Sequence, residues 1–512
     1  MIYRILQIVV LILFLISFKG FSQNKLITEY NADSTIRSEG LIDDSGLKQG
    51  NWTSYNKEGS ILQIGKYQDN NREGIWLAYD LSGNIIMETY YENNTSTGIL
   101  RKYYPGRKLK EEGEINDNIR IGYWKEYYRN GKIKIIGNYH KGLKVGKWRS
   151  YFETGHLQSE ALYTKDTLNG KFIQYFTLLG TKEIEMEYKM GEKYGKYESY
   201  YENGQLKRTG IYQDDVEISD WKEYYDNGFV KAEEKYNNGL PSGKWTYYYP
   251  FSGIKKEITF SNGLLEGNYI ENFPDNSESV RGQYKEGLKE GTWYNYHENG
   301  KIYTFGEYKN DLKIGNWKYF DEKGNLIAEG PFQNNIEEGQ WYFYYSSGIL
   351  KAIGSYKEGK EDGLWGNFHE NQVLRIEEHW KDGKLMSAGA FYTAYGDSLS
   401  SGTLKNGNGT LKKYYNNKIL QEEITYTQGK KNGIAKSYFE KGELSAEGNY
   451  KENMKDGLWK YYHKNGNVES QGNYKDGELE GLWMFFNKSG KAIDKKDYTK
   501  LKLLEESLNT DF

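Results

Sequence analysis

Gly122-Tyr-Trp-Lys-Glu-Tyr-Tyr-Arg-Asn-Gly-Lys-Ile-Lys-Ile-Ile-Gly-Asn-Tyr-His-Lys-Gly-Leu-Lys-Val145 is one full period of this chain, and Gly146 begins the next. With Gly122 as position 0, Trp124 stands at +2, Tyr127 at +5, Gly131 at +9, Ile133 at +11, Gly137 at +15, Tyr139 at +17 and Gly142 at +20. Starts recur at 50, 74, 98, 122, 146, 170, 195, 219, 243, 267, 291, 315, 339, 363, 387, 409, 433, 457 and 481, with 16 of the 18 steps 24 residues long. Twelve of the 13 Trp fall at +2, and Trp380 falls at +17. A fixed period of this length marks a repeat array, in which each unit buries its apolar face only against its neighbours.

Within a unit, the stretch from 0 to +7 is rich in Trp, Tyr and Phe, as a strand requires. Asn-Gly follows at +8 and +9 in five repeats, among them 130–131 and 299–300, and points to a two-residue type I′ hairpin turn with both residues at positive φ. Pairing then sums to offset 17, which sets Trp at +2 opposite Gly at +15, and Gly at 0 opposite Tyr at +17. Each ring is expected to lie over its hairpin partner glycine. Trp124, Trp148, Trp293, Trp317, Trp341, Gly137, Gly306 and Gly330 are therefore read as structural. The opposite face carries Tyr at +5 with Lys around it. The expected fold is all-β: an elongated, twisted antiparallel sheet or solenoid of about 19 tandem 24-residue hairpins, on the order of 180 Å long if open.

Residues 1–22 read differently. Arg4 precedes an apolar run from Ile5 to Phe18, and Gly20-Phe21-Ser22 offers a cleavage site, so the segment is read as a cleavable export signal. Residues 23–49 read as a degenerate capping repeat, 50–493 as the array, and 494–512 as a C-terminal cap. In that cap Asp497 starts a short helix carrying Leu501, Leu504 and Leu508. Three units break the rhythm. The one from Gly170 has an extra residue near Leu178-Leu179-Gly180, the one from Gly267 has Asn272 at +5, and the one from Ser387 is two residues short yet keeps its glycines in register.

The chain has 50 Tyr, 59 Gly and no Cys, and its 69 basic and 72 acidic residues are interspersed to a net charge of -3. That balance gives no electrostatic footprint for nucleic acid, and the lack of Cys excludes disulfides and thiolate metal sites.

The run Tyr-x-x-Gly-x-x-x-Gly-x-Trp-x-x-Tyr-x-x-x-Gly, as at Tyr139 to Gly155 and Tyr284 to Gly300, resembles the MORN repeat. It is closer still to the bacterial MORN-variant family whose members are often labelled YwqK-like antitoxins. The resemblance implies an elongated antiparallel sheet used for scaffolding, dimerisation or membrane association, or else a cytoplasmic protein that neutralises a toxin. The export signal sits poorly with the latter.

The six His (140, 156, 297, 369, 379 and 463) are read as surface residues at scattered offsets with no metal-ligand spacing. No nucleophile and base assemble, and Gly407-Asn408-Gly409 lacks the third glycine of a dinucleotide fingerprint. The expectation is a non-enzymatic, exported binding or scaffold module of the cell envelope, periplasmic, outer-membrane-associated or extracellular. It takes no cofactor, metal, small-molecule substrate or nucleic acid, and its partner is a protein, a glycan or a lipid surface. An antitoxin is the alternative. Tyr127, Tyr151, Tyr200 and Tyr224 of the +5 row, with Tyr392 and Tyr395 of the short unit, are the candidate binding residues.

Overall fold

A computed structural model describes residues 24–499. The expected export segment and the Leu501, Leu504 and Leu508 stripe lie outside them. The described chain divides into two compact units, one running to Gly243 together with Pro250–Ser252, the other comprising Lys244–Tyr249 and Gly253 onward. In the first unit, antiparallel strands run in chain order from Lys25–Tyr30 to Val230–Asn237. In the second they run from Ile254–Ser261 to Lys384–Ala388, followed by a short pair and an eight-stranded sheet from Gly409–Tyr414 to Ala492–Asp497. Strands pair with their neighbours in the chain, and among the described residues the sheet does not close into a barrel.

Each repeat is a hairpin, but its turn differs from the one expected. In the template repeat the strands are Ile119–Tyr127 and Ile133–His140. Tyr128 N–H donates to the Lys132 carbonyl at 2.8 Å and Gly131 N–H to the Tyr128 carbonyl at 2.9 Å. Gly131 has φ 87°, whereas Asn130 keeps an ordinary negative φ. The loop is therefore three residues long, a type I turn closed by a left-handed glycine. A bulge at Lys134 then restores the register, because Ile133 faces Tyr127 while Ile135 faces Glu126. Trp124 thus still faces Gly137, and Gly122 faces Tyr139. The type I′ turn lies between repeats, where His140 faces Leu143 across Lys141 (φ 50°) and Gly142 (φ 80°).

Packing corrects the expected partner of the tryptophan. A Cβ on Gly137 would stand 2.1–2.6 Å from the indole of Trp148 in the following hairpin, and the same relation joins Gly306 to Trp317 and Gly330 to Trp341. The glycine makes room for the next repeat's ring, not for its own. Indole N–H groups reach back to the same neighbour, as when Trp148 donates to the Asn138 carbonyl at 3.2 Å. Tyr at +17 fills the gap edge-on, so Trp124, Tyr139 and Trp148 stack as a ladder with centroids 5.9 and 5.0 Å apart. Such contacts contribute about 0.5–1.5 kcal/mol each beyond area burial, and Trp124 is left 2% exposed. Glycine at 0 serves another purpose: a Cβ on Gly146 would meet nothing within 4 Å, but the residue sits at φ 66° where the inter-repeat register shifts. Ser219 holds the same conformation at φ 62°.

The irregular units resolve individually. The extra residue after Gly170 lengthens the turn, which Phe176 and Thr181 close, leaving Leu178 and Leu179 exposed. In the unit from Gly267, Asn276 takes the left-handed position at φ 71°, and buried Asn272 donates to the Ile254 carbonyl at 2.8 Å. The short unit from Ser387 keeps its turn but breaks the ladder. Its Phe391 and Leu404 join Ile376, Leu385, Leu411 and Ile424 in a buried cluster, with Phe391 wholly enclosed. At the C-terminal end the last hairpin runs to Asp497, past the expected limit of the array, and Tyr498 takes the +17 place beside Trp483.

Candidate binding face

Strand alternation separates two surfaces, one carrying the Trp ladder and the other the +5 tyrosines. On the latter, Tyr127 donates its hydroxyl to Glu112 of the preceding repeat at 2.8 Å, and Tyr103, Tyr344 and Tyr462 donate likewise to Glu88, Glu329 and Glu447. Burial, and then the bond to Glu112, push the Tyr127 phenol up to about 12. Tyr200 reaches about 12 through burial and its bond to Glu198. Several Lys and Arg of this face are answered as well: Arg149 and Lys147 both hold Glu160, at 2.6 and 3.0 Å. Burial alone would raise the Glu160 carboxyl, and these two cations hold it below the usual range. Phenols and ion pairs therefore alternate over much of this face.

Tyr127 and Tyr151 stand in consecutive repeats, as do Tyr200 and Tyr224, and Tyr175 occupies +5 between the two pairs. Each pair is tied through the +6 residue: the Tyr128 hydroxyl donates to the Tyr151 carbonyl at 2.7 Å and that of Tyr201 to the Tyr224 carbonyl at 2.8 Å. Tyr392 and Tyr395 stand apart from this row, in the short unit; Tyr395 is 83% exposed, and the Tyr392 carbonyl accepts from His369.

That last bond corrects the reading of the histidines. His297, His369 and His463 all occupy +6, and each Nε2–H donates to the +5 carbonyl of the next repeat at 2.8–3.0 Å, as tyrosine does elsewhere. The Asn of the Asn-Gly pair is a second stitch along this edge. Asn130 accepts from Lys132 N–H through Oδ1 and donates through Nδ2 to the Glu153 carbonyl of the next loop at 2.9 Å. Along the opposite edge, Lys144 N–H donates to Asp166 Oδ1 at 2.7 Å while Asp166 N–H returns to the Lys144 carbonyl. Counting residue types at +6, +8 and +20 in the sequence would have revealed all three stitches.

The Trp surface has its own charged row, at -2. The ammonium groups of Lys289 and Lys313 sit 4.4 and 4.3 Å above the rings of Trp293 and Trp317. Two open grooves, of about 620 and 590 Å³, lie on this surface around Tyr197 and Arg208 and around Phe343 and Trp365. Among the described residues, no group of His, Asp and Glu is placed to hold a metal, and no helix is long and apolar enough to cross a membrane.

Identical stitched hairpins presenting recurrent side chains define a repeat module of the binding kind. Ten of them, at residues 72–93, 120–141, 144–165, 193–214, 289–310, 313–334, 337–358, 408–428, 431–452 and 455–476, match the family described as MORN repeat variant. Repeats of the MORN variant kind are thus matched at ten places along the chain. No curated protein matches it in sequence. Among solved structures it is similar to the Photorhabdus luminescens Tc holotoxin pore, at 13% identity over 92% of this chain and 26% of that one, with a TM-score of 0.14. The TcdB2-TccC3-TEV crystal structure gives 12% identity over 93% of this chain and 27% of that one, also with a TM-score of 0.14. The chain spans about a quarter of each, and likenesses this slight bear on neither fold nor activity.

Proposed function

We propose that the chain is a non-enzymatic binding and scaffold module exported to the cell envelope, where it holds a protein, glycan or lipid-surface partner through many weak contacts. One observation carries the reading: one hairpin recurs with both edges stitched, so solvent-facing side chains repeat along each unit instead of converging on a point. Such a surface gains affinity by multivalency, each contact adding to the effective concentration of the next. The Tyr127, Tyr151, Tyr200 and Tyr224 rings supply the repeated apolar contact, with hydroxyls or carbonyls already engaged inside the sheet.

Fusing residues 1–22 to a reporter active only outside the cytoplasm tests the export half. A silent reporter removes it and favours the toxin-neutralising alternative. Replacing the four tyrosines by Ala tests the binding half: retention on envelope material should fall stepwise while the circular dichroism spectrum is kept. Unchanged retention with intact folding contradicts the proposed face.

A further inference from the structure

On the +5 surface, the residues at +3 and +14 of a hairpin face each other, and in several repeats they form an ion pair: Arg149 with Glu160 at 2.6 Å, Lys222 with Glu233 at 2.8 Å, Lys318 with Glu329 at 3.4 Å. In the hairpin from Gly291 both partners are aromatic, Tyr294 opposite Phe305, and among the described residues no other hairpin has rings at both places. Their centroids are 5.5 Å apart, and the row continues on either side into +5 rings. Tyr296 lies 6.5 Å from Tyr294, and Phe320 of the following hairpin lies 6.0 Å from Phe305. From one ring to the next the planes turn by only 15–26°, whereas the Trp ladder of the other surface meets edge-on, as at 85° between Trp124 and Tyr139. All four rings of the strip are only half-buried.

A groove of about 510 Å³ opens beside Tyr294 on the same surface, between the hairpins from Gly267 and Gly291. Its charge is settled internally, because Arg281 holds Glu278 through two bonds of 2.6 Å. What remains is neutral hydrogen-bonding capacity. Gln283 Nε2 donates to Asn268 Oδ1 at 3.3 Å, which leaves the Asn268 amide N–H groups and the Gln283 carbonyl oxygen without a further partner among the described residues. The hydroxyls of Thr292 and Tyr294 have none either. Half-exposed rings beside amides and hydroxyls suit a sugar, whose C–H face packs on an aromatic ring while its hydroxyls take the donors and acceptors. A lipid headgroup calls for an unanswered cation, and a protein hot spot for a dry pocket. We propose that the strip and its groove bind a neutral, ribbon-like β-linked glycan of the cellulose or chitin kind. The flat faces of such a ribbon fit a near-parallel row of rings, which a helical glycan does not. The inference rests on the reading of the +5 surface as a binding face, and it narrows the partner there to a glycan.

Calorimetric titration of the full chain with chitohexaose and with cellohexaose tests it, with phosphatidylglycerol vesicles as the contrast. The wild type should bind at least one hexasaccharide and leave the vesicles alone. Tyr294→Lys with Phe305→Glu writes in the pair that Lys318 and Glu329 make in the next hairpin, so the strands keep a familiar pairing while the strip is lost. Binding should then fall by about tenfold or more. Gln283→Ala with Thr292→Ala keeps the rings and should weaken binding by about threefold to tenfold. Tyr127, Tyr151, Tyr200 and Tyr224 lie in the first unit, so replacing them by Ala should leave hexasaccharide binding unchanged. If that replacement lowers retention on envelope material while neither hexasaccharide binds, the strip is removed and the wider face stands; the opposite pattern keeps the strip and removes the row. Absence of binding to both hexasaccharides, vesicle binding in its place, or full affinity after Tyr294→Lys with Phe305→Glu would each overturn the proposal. Should that variant lose its circular dichroism spectrum, the Gln283 and Thr292 replacements decide, and unchanged affinity there counts against the site.

Discussion

The indole of Trp124 lies flat against Gly113 of the preceding hairpin, its ring carbons 2.2–2.5 Å from where a Cβ on that glycine would stand. Eleven of the 13 Trp are seated this way, from Trp52 on Gly40 to Trp483 on Gly472. Where the ring shrinks the floor grows, as with Phe172 after Ala161 and Tyr197 after Met186, which keep the volume constant across the seam. Hairpins are thereby keyed to their neighbours in one direction along the chain.

Gly306→Ala should therefore cost about 1–3 kcal/mol by overpacking against Trp317. Trp317→Phe in that background should recover part of the loss, reproducing the Ala161 and Phe172 combination. Chemical denaturation of the four members of the double-mutant cycle reads the coupling. Additive losses would contradict the seam.

Removing the ring altogether, in Trp317→Ala, should cost roughly 3–5 kcal/mol, with the damage confined to adjacent hairpins because contacts in an array are nearest-neighbour. Hydrogen exchange should quicken around Gly306 and Phe332, which hold the ring on either side, and stay slow in remote repeats. A uniform rise would count against local coupling.

The period made the hairpins legible in the sequence, since Trp at +2 and Gly at +9 recur with the chain's own geometry. The partner of each ring was not legible from one repeat, because Trp124 faces both Gly137 and Gly113 in register. Only comparison of repeats separates them: Trp148 follows Gly137 but faces Ala161 in its own hairpin. The turn type was misread because Asn-Gly fits two loops, and Asn130 occupies its place for the bond to Glu153 and not for a positive φ. Among the candidate site residues, the +5 row was legible as a row. Its anchoring to Glu112 and its equivalents was hidden, because the partner glutamate lies 15 residues earlier in another repeat.

Asn130→Asp should leave the turn intact, since Oδ1 still accepts from Lys132 N–H, but lose the donor to the Glu153 carbonyl. A destabilisation of about 0.5–1 kcal/mol, with faster exchange in the loop around Gly155, is expected. Asn130→Gly, which suits a positive φ but breaks both bonds, should be worse. The reverse order would restore the two-residue turn.

His297→Tyr should be close to neutral, because Tyr249 and Tyr345 make the same bond to the next repeat from the same position. His297→Phe should lose about 1 kcal/mol by leaving the Phe320 carbonyl without its donor. Thermal melts of both variants decide it, and equal stability of the two would remove the +6 stitch from the account.

The phenols of Tyr127 and Tyr200, raised from the ordinary 10.0 to about 12, set an alkaline limit on stability. Below about pH 10 both folded and unfolded chains keep these protons, so the contribution is fully present. Between about 10 and 12 the unfolded chain releases protons that the folded chain retains, and stability falls as pH rises. The cause is burial, joined by hydroxyl bonds to Glu112 and Glu198 that a tyrosinate cannot donate. Tyr127→Phe with Tyr200→Phe should therefore flatten part of the alkaline loss in denaturation midpoints between pH 9 and 12. Ultraviolet difference titration against the wild type should show the two missing phenols ionising late, near 12. If they ionise at the ordinary value instead, the carboxylates do not hold these hydroxyls in solution, and the +5 face is open to partners through its hydroxyls as well as its rings.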